Sequence, residues 1–180
     1  MSDVAHHPMS AMPGPACPLP PQLAQPGRTC RLRLQFSIFF DGTNNNKDED
    51  KPSLSHSNIA RLYDAARDEP SQGVFAVYVP GVGTPFEDIG EPVPHEDGSS
   101  MGKMGAERIR YALLAVANRI SRVLGTKDII PEDKDHMPSA VRDDGSFARC
   151  CLLLTIARKR KPVVEEIVID VFGFSRGATA

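Results

Sequence analysis

Ile167-Val168-Ile169-Asp170-Val171-Phe172-Gly173-Phe174-Ser175-Arg176-Gly177-Ala178 is the stretch on which the fold of this chain turns. A β-branched apolar run ends at Gly-Phe-Ser-Arg-Gly and passes into small residues suited to a helix start, which predicts a strand bending sharply into a helix with a serine at the tip. At such an elbow the serine backbone is strained, and a side chain two positions before or after it would collide with neighbouring backbone. Gly173 and Gly177 meet that demand. The bend lifts the Ser175 hydroxyl above the carboxyl end of the sheet, and the Arg176 N–H is predicted to point where an oxyanion would form. Ser175 is thus the candidate nucleophile and Arg176 a candidate backbone oxyanion donor.

Upstream, Leu32, Leu34, Phe36, Ile38 and Phe40 alternate with Arg31, Arg33, Gln35, Ser37 and Phe39, the period of two that marks a strand with one well-buried face. It runs into Phe40-Asp41-Gly42-Thr43-Asn44-Asn45-Asn46, where glycine and asparagine permit left-handed backbone and bring N–H groups to the strand's carboxyl end. Ligands of open α/β sheets bind at that end. Ser57 caps a helix predicted over 58–68, with Ile59, Leu62, Tyr63 and Ala66 at helical spacing. Residues 74–79 read as a short apolar strand broken by Pro80-Gly81-Val82-Gly83-Thr84-Pro85, which makes the succession a parallel crossover unit. An acidic, glycine-rich loop follows over 86–101. Ile109, Leu113, Val116, Ile120 and Val123 then mark a helix ending at Gly125. Residues 126–145 read as an exposed excursion, 147–161 as a further helix and 163–172 as the third strand. The fold class is α/β, three layers around a mainly parallel sheet.

At 180 residues, 41% hydrophobic and 24% charged, the chain is one globular domain or part of a larger one. A net charge of -2 with mixed signs lacks the basic footprint of a nucleic-acid binder. No apolar run reaches the ~18 residues needed to cross a bilayer. Residues 1–30, rich in proline, cannot bury enough surface to offset the entropy of ordering them and are expected to form a flexible leader before a domain over 31–180. That leader lacks the continuous apolar core of a signal peptide, so export would not use the general secretory route. Cys17, Cys30, Cys150 and Cys151 show no CxxC spacing and read as reduced thiols of a chain made in the cytosol.

Other signals are weaker. Phe39 stands where an Asp-x-Asp-Gly-Thr phosphatase loop needs its attacking aspartate. Gly98-Ser99-Ser100-Met101-Gly102-Lys103-Met104 is one residue short of a phosphate-binding loop, and Met104 replaces the magnesium-binding hydroxyl. Arg158-Lys159-Arg160-Lys161 reads as a solvated helix end rather than a lipid-binding patch. His6 and His7 lack a third ligand, and Asp48-Glu49-Asp50 reads as a solvated loop rather than a calcium site, so no metal or cofactor is assigned. His56, His95 and His136 precede Ser175, an unusual order for a catalytic base.

Four blocks in order resemble the DUF2235 family, the α/β-hydrolase-like catalytic domain of type VI secretion phospholipase effectors of the Tle1 kind. They are Phe40-Asp41-Gly42-Thr43-Asn44-Asn45; Asn58 with Ala60-Arg61-Leu62-Tyr63; Tyr78 with Pro80-Gly81-Val82-Gly83-Thr84; and Gly173-Phe174-Ser175-Arg176-Gly177-Ala178. The resemblance implies a serine hydrolase that cleaves acyl esters of glycerophospholipids at a membrane surface, delivered by the secretion apparatus into a rival's periplasm, with the secretion apparatus and an immunity protein as partners. By that analogy Ser175 is the nucleophile, Arg176 N–H one oxyanion donor and Gly42 N–H the second, with Asp41, Thr43 and Asn44 completing the loop motif. The acid and histidine of such enzymes follow the serine, so they would lie beyond Ala180, and the 180-residue chain is expected to be inactive alone. A non-lipid ester as substrate, and a non-enzymatic binding or decoy role, are the alternatives the residues leave open.

Overall fold

The computed structural model describes residues 31–95, 97–143, 145, 147–148 and 163–179. The expected leader, the four cysteines and the body of the helix expected over 147–161 lie outside the described residues.

Strand β1 (Arg31–Phe40) shows the burial alternation its sequence predicts. It is the central strand of three, flanked by β2 (Val74–Val79) on one side and β3 (Val163–Gly173) on the other, both parallel to it. Since the strands run one way, their carboxyl ends share one edge of the sheet. The loops that follow them gather there.

The described elements include the α-helices α1 (Lys47–Asp50), α2 (Asn58–Ala65), α3 (Gly98–Met101), α4 (Gly105–Val123) and α5 (Met137–Arg142). Ser57 caps α2 as expected, its Oγ accepting the Ala60 N–H at 3.1 Å. The helix stops three residues short of the predicted end because Ala66 turns to extended backbone. That turn frees Asp68 to accept the Ala76 N–H of β2 at 3.2 Å, satisfying a donor on the open edge of the sheet.

The two faces of the sheet carry separate cores. On one, Leu34, Phe36, Ile38, Phe75 and Val79 pack with α4 and α5. On the other, Phe39 and Ala76 pack with Ile59 of α2. Helices therefore cover both faces, as the α/β reading anticipates. The exposed excursion expected over 126–145 forms only in part: residues 131–136 are exposed, but Met137, Ala140 and Val141 of α5 are buried against α4 and the 3-10 turn Glu87–Ile89. Their spacing of three and four is a helix signal, interrupted in the sequence by Pro138, which sits harmlessly in the first turn. The approach to α5 is held by buried Asn118, whose Oδ1 accepts the N–H groups of Ile129 at 2.9 Å and Ile130 at 3.2 Å.

Arg108, buried on α4, fastens the loop after β2. Its guanidinium donates to the carbonyls of Pro80 at 2.9 Å and Thr84 at 2.8 Å and pairs with buried Glu91 at 2.6 Å. Burial lowers the Arg108 pKa and the Glu91 carboxylate opposes that shift, so the pair holds as a charged unit with its remaining donors on backbone.

Candidate active site

The site is built where β1, β2 and β3 end. β3 delivers Ser175 in the left-handed region at φ 56, a conformation that costs a non-glycine residue of order 1–2 kcal/mol. The chain continues as a 3-10 turn over Ser175–Thr179. Both glycines of the elbow are there for close approach. A Cβ on Gly177 would lie 2.5 Å from the Asp41 carbonyl oxygen and 2.6 Å from that of Phe40, and one on Gly173 would lie 2.7 Å from Ala178 Cα. The elbow is thus pressed against the end of β1 and pinned by the Phe174 N–H to the Phe40 carbonyl at 3.3 Å.

Gly42 and Gly81 let the neighbouring loops meet. A Cβ on Gly81 would overlap the Gly42 carbonyl, and a Cβ on Gly42 would run into the Phe174 ring. Between the meeting loops, Asn44 takes a left-handed φ of 60 and Asn45 N–H closes a turn onto the Gly42 carbonyl at 2.9 Å.

Asp41 is buried at the centre of this arrangement and holds three donors. Oδ1 accepts from Gly42 N–H at 2.7 Å and Ser57 Oγ at 2.6 Å, while Oδ2 accepts from the Tyr78 hydroxyl at 2.6 Å. Tyr78 in turn accepts the Lys47 N–H at 2.8 Å. One carboxylate therefore locks the end of β1, the start of α2, β2 and the entry to α1. Burial, and then the hydrogen bond to Asp41, push the Tyr78 phenol far above its ordinary value. The sign for stability follows: the folded state holds the proton more tightly than the unfolded state, so this contribution is full below the unfolded phenol's pKa of ~10 and lost as pH rises above it. Tyr78→Phe is expected to cost about 2 kcal/mol in urea unfolding at neutral pH and to flatten the alkaline decline, since the hydrogen bond to a charged acceptor is gone.

The Gly42 N–H, expected as an oxyanion donor, is thus engaged by Asp41. Thr43 and Arg176 have free N–H groups instead: among the described residues no acceptor takes either one. The same two residues are joined through their side chains, Arg176 Nε donating to Thr43 Oγ1 at 2.8 Å. The other arm of Arg176 donates to the Ser99 carbonyl in α3. Its side chain therefore ties together the three loops around Ser175, a role its backbone assignment did not anticipate. Beside it, Phe40, Gly81, Gly102, Arg108 and Gly177 line a cavity of about 320 Å³ between the elbow and the start of α4.

Neither His56, His95 nor His136 forms a hydrogen bond with Ser175. His136 pairs with Asp133 at 2.8 Å, His95 Nδ1 accepts the Asp97 N–H at 3.2 Å, and the buried His56 Nδ1 has no partner among the described residues. Asp170 accepts from Gln35 at 3.2 Å across the sheet. Among the described residues there is no group of three histidine, cysteine or carboxylate side chains able to hold a metal ion. Nor is any described helix long and apolar enough to cross a membrane.

A comparison with proteins of curated function returned no match. Among solved structures, a crystal structure of an uncharacterized protein from Pseudomonas aeruginosa aligns with a TM-score of 0.68 and 26% identity over 82% of this chain. The chain spans only 24% of that structure's length. The family profile for the catalytic domain of Tle1-like type VI secretion phospholipase effectors matches residues 35–180, the whole of the described sheet from the middle of β1 to the elbow. On that match the chain belongs to the Tle1-like catalytic-domain family of type VI secretion phospholipase effectors.

Proposed function

We propose that this chain supplies the nucleophile and oxyanion-binding part of a serine phospholipase. The observation that carries the proposal is the strained Ser175 at the elbow, followed in the chain by the free N–H of Arg176, whose side chain holds the loop bearing the free N–H of Thr43. Ser175 Oγ attacks the carbonyl carbon of a glycerophospholipid acyl ester as a histidine takes its proton. The C–O π electrons move onto oxygen, and the resulting oxyanion is held by the N–H groups of Arg176 and Thr43. Collapse expels the lysophospholipid alkoxide, which receives the proton from the histidine. Water then attacks the acyl-serine by the same route and releases the fatty acid. The histidine and its orienting acid are supplied from outside the described residues, and without them a serine hydroxyl is a poor nucleophile at neutral pH.

Delivery into the periplasm of a competing cell by the secretion apparatus, and neutralisation by an immunity protein in the producer, belong to the same proposal. The experiment is fatty-acid release by the intact protein from phosphatidylethanolamine vesicles and, in parallel, from short soluble esters. Release from vesicles that depends on Ser175 is the expected result. Turnover confined to soluble esters would move the substrate class away from lipids, and release from vesicles by the 180-residue chain alone would contradict the need for an outside base.

A further inference from the structure

The three most exposed large apolar side chains among the described residues all lie on the connections that leave the carboxyl ends of β1 and β2: Met101 at 81%, Leu54 at 78% and Val93 at 74%. Leu54 stands between β1 and α2, and Val93 and Met101 between β2 and α4. Phe174, 55% exposed, immediately precedes Ser175. The turn after α4, at the opposite edge, shows no such feature: Leu124 is buried, and Ile129 and Ile130 pack on the core.

A single exposed leucine on a protein surface is ordinary. These differ in where they sit and in what holds them there. Leu54 ends the 3-10 turn Lys51–Ser53 in the left-handed region at φ 58, where glycine or asparagine would relieve the strain and where its exposed side chain gains little from packing. Val93 lies between Pro92 and Pro94, whose rings restrict the backbone on both sides. Met101 ends α3, the helix that Arg176 ties to the elbow through the Ser99 carbonyl. Apolar tips are thus mounted on constrained turns of the connections that leave the carboxyl edge of the sheet, the edge that carries the serine.

We propose that Leu54, Val93, Met101 and Phe174 form a docking ring that enters the acyl region of a glycerophospholipid bilayer and brings the ester to Ser175. The inference rests on the hydrolase reading above. The same loops carry Asp48, Glu49, Asp50, Glu87, Asp88 and Asp97, so attraction to anionic headgroups does not drive the contact. Insertion of apolar side chains does, and binding should change little with salt or with the fraction of anionic lipid.

These 180 residues contain no tryptophan, and any tryptophan elsewhere in the intact protein is first replaced by phenylalanine so that each single reporter stands alone. In the intact protein carrying Ser175→Ala, Leu54→Trp, Val93→Trp and Met101→Trp are each mixed with vesicles of phosphatidylethanolamine and phosphatidylglycerol, and Leu62→Trp on α2 serves as control. The three loop reporters should shift to the blue and be quenched by brominated acyl chains, and the control should do neither. With Ser175 intact, the double variant Leu54→Ser/Val93→Ser should partition onto vesicles about a hundredfold less, roughly tenfold per side chain, with turnover of a short soluble ester unchanged. Unquenched loop reporters, unchanged partition of the double variant, or binding that vanishes in moderate salt would each overturn the ring. Ser175-dependent turnover of soluble ester without vesicle binding retires the ring and spares the hydrolase. Quenched loop reporters without any Ser175-dependent hydrolysis do the reverse.

Discussion

Ser175→Ala in the intact protein should lower kcat/KM for ester hydrolysis by a factor on the order of 10⁵, because no other described group at the elbow can form the acyl intermediate. The fold should be unharmed. Ser175 occupies a left-handed conformation at φ 56, which alanine tolerates about as poorly as serine. Glycine separates the two consequences of that geometry: Ser175→Gly should be as inactive as the alanine variant yet more stable by about 1 kcal/mol, since glycine carries no Cβ to strain. Urea midpoints of the two variants read the stability difference and ester release reads the chemistry. Equal midpoints for alanine and glycine would mean that the elbow stores no strain at this residue.

Asp41→Ala should be the most damaging substitution for stability near the site, costing about 3–5 kcal/mol. The carboxylate accepts from Gly42 N–H, Ser57 Oγ and Tyr78 OH, all within 2.7 Å, and its removal strands three donors in a buried place. The loss reaches catalysis as well. Once Gly42 is released, the turn that presents the Thr43 N–H is no longer fixed, and the loop contacted by Phe174 moves with it. Asp41→Asn keeps the volume and one acceptor oxygen, so it should fall between wild type and alanine in urea unfolding. A cost below about 1 kcal/mol for Asp41→Ala would show that water replaces the carboxylate and that the network is not a lock.

The parts legible in the sequence are those fixed by local sterics and periodicity. The alternation from Leu32 to Phe40 dictates β1, and the glycines at 173 and 177 dictate the elbow, because each constraint acts within a few residues. Ser57 as a cap is legible for the same reason. What escaped depends on partners distant in the chain. Nothing in Phe-Asp-Gly-Thr says that Asp41 would take its own neighbour's N–H, since that choice is made by Ser57 and Tyr78 arriving from α2 and β2. Arg108 stands four and seven residues before Ala112 and Ala115 on the buried stripe of α4. A charge on such a stripe signals a buried partner, here Glu91. Helix α5 escaped because six residues with a proline give too little periodicity to stand out.

β3 illustrates the remaining gap. It is apolar on both faces, yet Ile167, Val168, Ile169 and Val171 are exposed, and β3 is an edge of the described sheet. A strand apolar on both faces reads as interior in any α/β sheet.

The central claim is that Ser175 is an activated nucleophile, and covalent trapping tests it most directly. The intact protein is treated with a fluorophosphonate, digested and analysed by peptide mass. One phosphonyl group on the peptide containing Ser175, with loss of ester hydrolysis in proportion to labelling, is the result this account predicts. An enzyme that hydrolyses esters while Ser175 stays unlabelled, or that carries its label on another residue, would contradict it.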